Sequence, residues 1–600
     1  MGNTRPSFEP HTAKRQRPPP LPLTNDSIRA AVRSYLLLDR CEDAHGPIER
    51  WDVSHVTDMR GLFRDASHFN ADLSRWDVSS VTDMGGMFAS ASVFESDLSG
   101  WKVGNVTDMG CMFMCATFFR SDLKAWDVSS VVDTGGMFSH ATCFDSDLSA
   151  WNVSKVTSMA YMFLRASRFN ADLSRWRVSN VTDMAGMFDY AAVFDGNLSA
   201  WDVWKVTDMD SMFANASRFN SDISAWDVES VTDMSSMFEG ASCFSSDLSR
   251  WRVGSVNYMQ GMFRDARKFT SDLAEWDVSA VTNMYSMFEG ATCFTSDLAE
   301  WKVYRVENMS SMFADTGCFT ADLSGWDVSR VTNMSHMFQR ALHFDGNLSG
   351  WNVRGVTDMT SMFECAPRFS SDVSAWEVGN VNGMECMFSE AIVFKSDLSR
   401  WHVSKVTHMA HMFQGAKAWH SDISEWDVTS VLDMSCMFRG AISFHADLSG
   451  WQVGNVMYMD GMFRDATSFN SDVSRWNVSA VTNMVDMFRS ASRFNADVSG
   501  WNVANCSEMG EMFLGTTSFW PKLWPLPDGG GWDEDKDNGA PHFRGVWRWR
   551  RLCAWWRISS RTILHWRMYA AKRACAPGGA ASLRAQARFA VTCAVLCHGV

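Results

Sequence analysis

The chain has 600 residues, a formal net charge of −15 and fifteen cysteines. A chain of this length ordinarily divides into several domains, but here one internal period overrides that expectation. The cysteines fall at scattered places in the period, which excludes a disulfide framework and favours reduced thiols. Residues 1–543 hold 43 basic and 69 acidic side chains, so the body lacks the clustered positive charge of a nucleic-acid footprint.

In chain order, residues 1–26 are rich in proline and lack an apolar h-region, so they read as a disordered leader and not as a secretory signal. Residues 27–50 (SIRAAVRSYLLLDRCEDAHGPIER) read as an N-terminal helical cap. From Trp51 to Trp501 a tryptophan stands at every twenty-fifth residue, accounting for 19 of the 29 tryptophans. A strict period in the 20–50 residue range is the signature of a solenoid, so residues 51–520 read as about 19 coils of 25 residues. Residues 521–543 read as a linker. Residues 544–600 hold 11 Lys and Arg without an Asp or Glu, and Trp is interleaved with Arg. This tail reads either as a stretch translated out of frame or as a basic interaction tail. Its last apolar run is too short to span a bilayer.

Each unit is numbered here from its tryptophan as position 1. Position 3 is always Val, position 6 is Val except Cys506, position 13 is always Phe, and position 19 is Phe except Trp419. Positions 9 and 12 take 36 of the 40 methionines. Leu73, Trp76, Val78 and Val81 follow a strand-like pattern with one buried face. Thr82 and Asp83 suit a helix start, and Met84, Met87, Phe88 and Ala91 recur at i, i+3, i+4, i+7 as on a short helix. The expected fold class is an α/β solenoid: a leucine-rich-repeat-like, right-handed coil stack. Its parallel β-sheet is expected on the concave side and its short helices on the convex side.

The frame L-x-x-W-x-V-x-x-V-x-x-M is that of a leucine-rich repeat with Trp, Val and Met in the leucine places. The unit WDVSSVTDMGGMFASASVFESDLSG (residues 76–100) resembles the repeat of the BspA-like leucine-rich-repeat surface proteins, also catalogued as a mycoplasma lipoprotein domain of unknown function. The resemblance covers roughly residues 27–520 and implies a surface or scaffold binding module, without enzymatic activity or cofactor. It also implies an extracellular or cell-surface setting, whereas the sequence as read shows no export signal and suggests an intracellular one.

Candidate sites are sparse. Position 22 is Asp in 16 of 18 complete copies and Asn at 197 and 347. This column reads as turn-capping, since Asn keeps the acceptor and loses the charge; the alternative is a calcium ladder. Position 11 reads Cys386, His411, Cys436 in successive coils; with His408 nearby, His408, His411 and Cys436 are weighed as metal ligands against chance substitution. The outer members should lie too far apart for one tetrahedral zinc. Binding to a protein or other macromolecule is expected on positions 24, 25, 2, 4 and 5, which hold 16 basic and 13 acidic residues over the repeats. Trp204 and Tyr304 replace the usual small residue there, and Arg75, Arg175 and Arg250 add charge. No nucleic acid, transmembrane span, catalytic residue or cofactor is expected. The leading reading is an interaction or adhesion scaffold; the alternative is a structural, adhesive solenoid without a discrete ligand, and a metal-binding or hydrolytic protein is a distant third.

Overall fold

The computed structural model describes residues 22–37 and 46–519. The chain divides into two units, Met1–Trp524 and Pro525–Val600; the second, like most of the leader, lies outside the described residues. The described part opens with helix α1, Asn25–Leu37, and a short 3-10 turn, Ile48–Arg50. Nineteen coils follow, one per tryptophan.

Within the described coils there is neither a helix nor a continuous strand. The segment expected to be helical, positions 8–16, instead joins the coils. Met84, Gly86, Phe88 and Ser90 each donate their backbone N–H to a carbonyl of the next coil (Asp108, Gly110, Met112 and Met114), at 2.7–2.9 Å. The alternate amides turn inward on the same coil: Met87 to Met84 O, Ala89 to Gly86 O, Ala91 to Phe88 O. Position 8 forms an unbroken row of parallel bridges from Asp58 to Glu508. A true α-helix would consume these amides internally and leave nothing to bind the next coil.

Making every odd amide point to one neighbour requires a turn with a positive φ at its third residue. Positions 11 and 15 supply it in all 19 coils, as at Gly86 (φ 60°) and Ser90 (φ 62°). Most of these residues are not glycine, and the ladder bonds on either side hold them there. The overlapping turns place positions 9, 12, 13 and 16 inward, the same spacing as a helical stripe.

The segment expected to be the strand, positions 23 to 6, is made of turns: Trp76 N–H donates to Leu73 O and Val81 N–H to Val78 O. Its tryptophan is a staple. From Trp76 to Trp501, each indole Nε1–H donates to the backbone carbonyl 28 residues earlier, which from Trp101 on is position 23 two units back, as Trp101 does to Leu73 O at 3.0 Å. That carbonyl accepts two bonds, one from the backbone N–H of the tryptophan three residues on and one from the indole of the tryptophan a further coil along, as Leu73 O does from Trp76 and Trp101. The bond explains the invariance of Trp where any large apolar side chain would fill the core.

Rings stack along the core in three columns. Neighbouring ring centres are 5.6 Å apart at Phe163–Phe188, 6.0 Å at Phe169–Phe194 and 6.3 Å at Trp176–Trp201. Hydrogen-bonded backbones lie about 4.8 Å apart, so adjacent coils splay from the ladder towards the tryptophans. The expectation of a sheet on the Trp-Val segment is thereby corrected: the sheet-like contact belongs to positions 8–15.

Helix α1 closes the first coil. Thr57 and Asp58 donate their N–H groups to Asn25 Oδ1 at 2.9 and 3.2 Å. In the following coil the equivalent Thr82 and Asp83 donate to the Thr57 carbonyl at 2.8 and 3.4 Å. The Asn25 side chain thus stands in for the backbone of a missing coil, and Arg29 Nη1 donates to Arg60 O at 2.8 Å.

Candidate functional site

Because the core columns are buried, function falls to the positions between them. Three of these bear acids or amides that cap tight turns. At position 22, all 18 side chains accept a hydrogen bond from the backbone N–H two residues on, from Asp72–Ser74 at 2.9 Å to Asp497–Ser499 at 3.0 Å. Asn197 and Asn347 make the same bond. Backbone and hydroxyl hydrogen bonds from Ser324 hold Asp322 below its ordinary pKa. These carboxylates are stabilised as anions by the turns they close.

His411 and Cys436 stand together in adjacent coils. Contact with the Cys436 side chain, and then with Gln414 (Nδ1···Oε1 2.8 Å), pushes the His411 pKa up to about 9 against the cost of burial. An imidazole that keeps its proton is a donor at both nitrogens and a poor metal ligand. His408 is exposed and contacts Thr407 Oγ1 at 3.0 Å. Burial pushes the Cys386 thiol up to about 12. Among the described residues no three His, Cys, Asp or Glu side chains gather as a ligand set.

The Trp-side stripe carries the expected exposed groups. Trp204 is 47% exposed and Tyr304 42%, and Arg75, Arg175 and Arg250 are exposed as well. Lys205 Nζ lies 5.0 Å from the Trp204 ring centre and donates to Asn180 Oδ1 of the coil before at 2.8 Å. The indole is therefore presented by a cation–π contact. An open polar cleft at Ser370, Asp372, Lys395 and Arg400 offers less, because Asp372 already accepts from Ser374 and Ser396.

A second surface was missed by the sequence reading. Positions 8, 10, 11, 14 and 15 flank the ladder without being core columns. Over the 19 coils they carry 24 acidic and 8 basic side chains, and five of the six tyrosines between residues 51 and 519. The signal was present in the sequence, but an assumed helix spread these positions over a convex surface. Here they form one face.

The acids of this face are strained where they are densest. Burial, and then the neighbouring Asp233, push the Asp210 pKa up to about 6. Burial raises Asp189 to about 6 as well, against the attraction of Arg165. A carboxyl whose folded pKa lies above its unfolded value destabilises the fold at pH above the folded pKa. That penalty fades as the pH falls through 6 and is gone below about 4. Asp210→Asn is therefore expected to stabilise the protein at pH 7.5 by on the order of 1 kcal/mol, allowing for the half-exposed site. Thermal unfolding at pH 7.5 and at pH 4 measures this, and the variant's advantage should vanish at the lower pH.

A comparison with curated proteins gave no match. Among solved structures, the chain aligns with the TLR13–ssRNA13 complex at 10% identity, covering 78% of this chain and 81% of that one, with a TM-score of 0.19. It aligns with the leucine-rich-repeat protein LIC12759 of Leptospira interrogans at 5% identity, over 65% and 83% of the two chains, with a TM-score of 0.13. With the mouse RP105/MD-1 complex the values are 10%, 74%, 69% and 0.15. Superpositions this loose do not place the chain in the fold of those proteins. The family comparison is different in kind. Overlapping matches run from residues 35–150 through 192–292 and 317–426 to 417–524, from within the cap through every coil. The chain belongs to the family DUF285, described as Mycoplasma protein of unknown function.

Proposed function

We propose that this chain is a non-enzymatic interaction scaffold, which presents side chains from many coils in fixed register to a macromolecular partner. Its kinship to the BspA-like surface proteins, read from the W-D-V-S-x-V-T-D-M repeat, is part of the same proposal. One observation carries it. The 19 column tryptophans and Trp419 are all buried to 5% exposure or less, yet Trp204 stands 47% exposed. Exposed indoles and phenols supply much of the binding energy at protein interfaces, and Tyr304 shares position 4 with Trp204 four coils on.

The test uses the full chain as bait, followed by titration of whatever it retains. The Trp204→Ala, Tyr304→Ala double variant is expected to weaken a saturable partner at least ~10-fold, as loss of two aromatic anchors should. Retention that neither saturates nor responds to the double variant would favour a structural, adhesive solenoid without a discrete ligand.

A further inference from the structure

Coils 6 to 8, residues 176–250, hold six acids at the ladder-face positions: Asp183, Asp189, Asp208, Asp210, Asp233 and Glu239. No Lys or Arg occupies those positions in the same coils. Asp183, Asp208 and Asp233 sit on successive rungs of the bridge row, about 4.8 Å apart, so their like charges add. One carboxylate oxygen of Asp189 is out of solvent and accepts no hydrogen bond. Asp208 and Asp210, at the centre of the patch, are flanked by the like charges of Asp183 and Asp233, so the patch keeps a surplus of negative charge.

Aromatic rings bracket it. Tyr161 and Tyr190 lie at one end, Tyr258 and Tyr285 at the other, each 40–47% exposed. The guanidinium of Arg165 rests 4.4 Å from the Tyr190 ring centre, which shows how a cation seats on these phenols. Arg264 pairs with Glu239 at 3.9 Å and Glu289 at 3.3 Å, and Arg165 attracts Asp189 at the opposite end, so the charge is answered at the two edges of the patch and not at its centre. From the coil of Tyr161 to the coil of Tyr285 there are five steps, roughly 24 Å, which an extended chain of about seven residues spans.

We propose that this face docks an extended, Lys/Arg-rich segment of a partner protein, its cations over the six acids and its ends against the tyrosines. The inference rests on the scaffold reading and assigns the chemistry of the partner. Phosphate backbones would be repelled by the same charge. A metal ion fits less well than a chain of cations, because among the described residues no three acids gather as a ligand set.

The test is fluorescence anisotropy of a labelled seven-residue Arg/Lys peptide with the full chain, beside a neutral peptide of equal length. Saturable binding is expected for the basic peptide only, weakening steeply with salt. The Asp210→Asn, Glu239→Gln variant should lose at least ~10-fold in affinity, and Tyr161→Ala with Tyr285→Ala a further ~5-fold. Trp204→Ala should bind as the wild type does. Asp210→Asn relieves like-charge repulsion, and Glu239→Gln gives up only a loose, partly exposed contact with Arg264, so the double variant remains folded, which circular dichroism verifies. Unchanged affinity in that variant overturns the proposal, and so does one-to-one displacement of the peptide by millimolar calcium. If the peptide fails while a Trp204-dependent partner persists, this inference falls alone and the scaffold reading stands.

Discussion

Replacing Trp276 by alanine is expected to cost about 3–5 kcal/mol, the range for deleting a large buried aromatic. The indole is 3% exposed, lies 6.4 Å from Trp251 and 6.2 Å from Phe263 between ring centres, and donates to Leu248 O at 3.0 Å. Removal opens a cavity and leaves a buried carbonyl with one partner in place of two. Because each coil touches only its neighbours, the damage should be local and should split unfolding into two steps. Urea denaturation followed by circular dichroism measures both the loss and the split. Trp276→Phe separates the two contributions: the ring stays, the donor goes, and about 1 kcal/mol should be lost. If Trp276→Phe were as stable as the wild type, the indole bond would contribute nothing and only its volume would matter.

The sequence announced the period, the core columns and the turn-capping role of position 22, because each is a statement about one residue type recurring at one place. It did not announce how the backbone uses its amides. Met84, Met87, Phe88 and Ala91 satisfy a helix and a run of overlapping turns equally, since both bring positions 9, 12, 13 and 16 to one side. The discriminating signal was glycine: six glycines at position 11 and five at position 15, inside what would have been a short helix, where glycine is unfavourable. Pairs such as Gly85-Gly86 and Gly135-Gly136 fit a left-handed turn residue far better. The acidic, tyrosine-bearing face was hidden for the same reason. Asp208, Asp210 and Tyr161 become members of one surface only when the segment carrying them joins coil to coil. Trp204 and Tyr304 were legible directly, as large side chains where the unit has small ones. Arg29 and Asn25 were not, because their roles depend on the carbonyls and amides of a coil that is absent before Trp51.

That first edge carries the second large effect. Ile28→Asp is expected to cost about 3–5 kcal/mol, because an unpaired charge would enter a site with no solvent exposure. Ile28, Ala31 and Val32 are the buried face of α1, and Tyr35 meets the rings of Trp51 and Phe69 edge-on at 6.2 Å. With the helix displaced, the amides of Thr57 and Asp58 lose the Asn25 acceptor and the Arg60 carbonyl loses Arg29. The first coil should then fray while the interior coils, bonded on both sides, hold. Hydrogen exchange reads this directly: the Thr57 and Asp58 amides should lose protection, whereas the Thr107 amide, bonded to Thr82 O at 2.8 Å, should keep it. Asn25→Ala is the milder control, since it removes only the mimic of the missing backbone; about 1 kcal/mol and partial exposure of the same two amides are expected. Protection at Thr57 that survives both substitutions would mean that α1 packs on the first coil without serving as its cap.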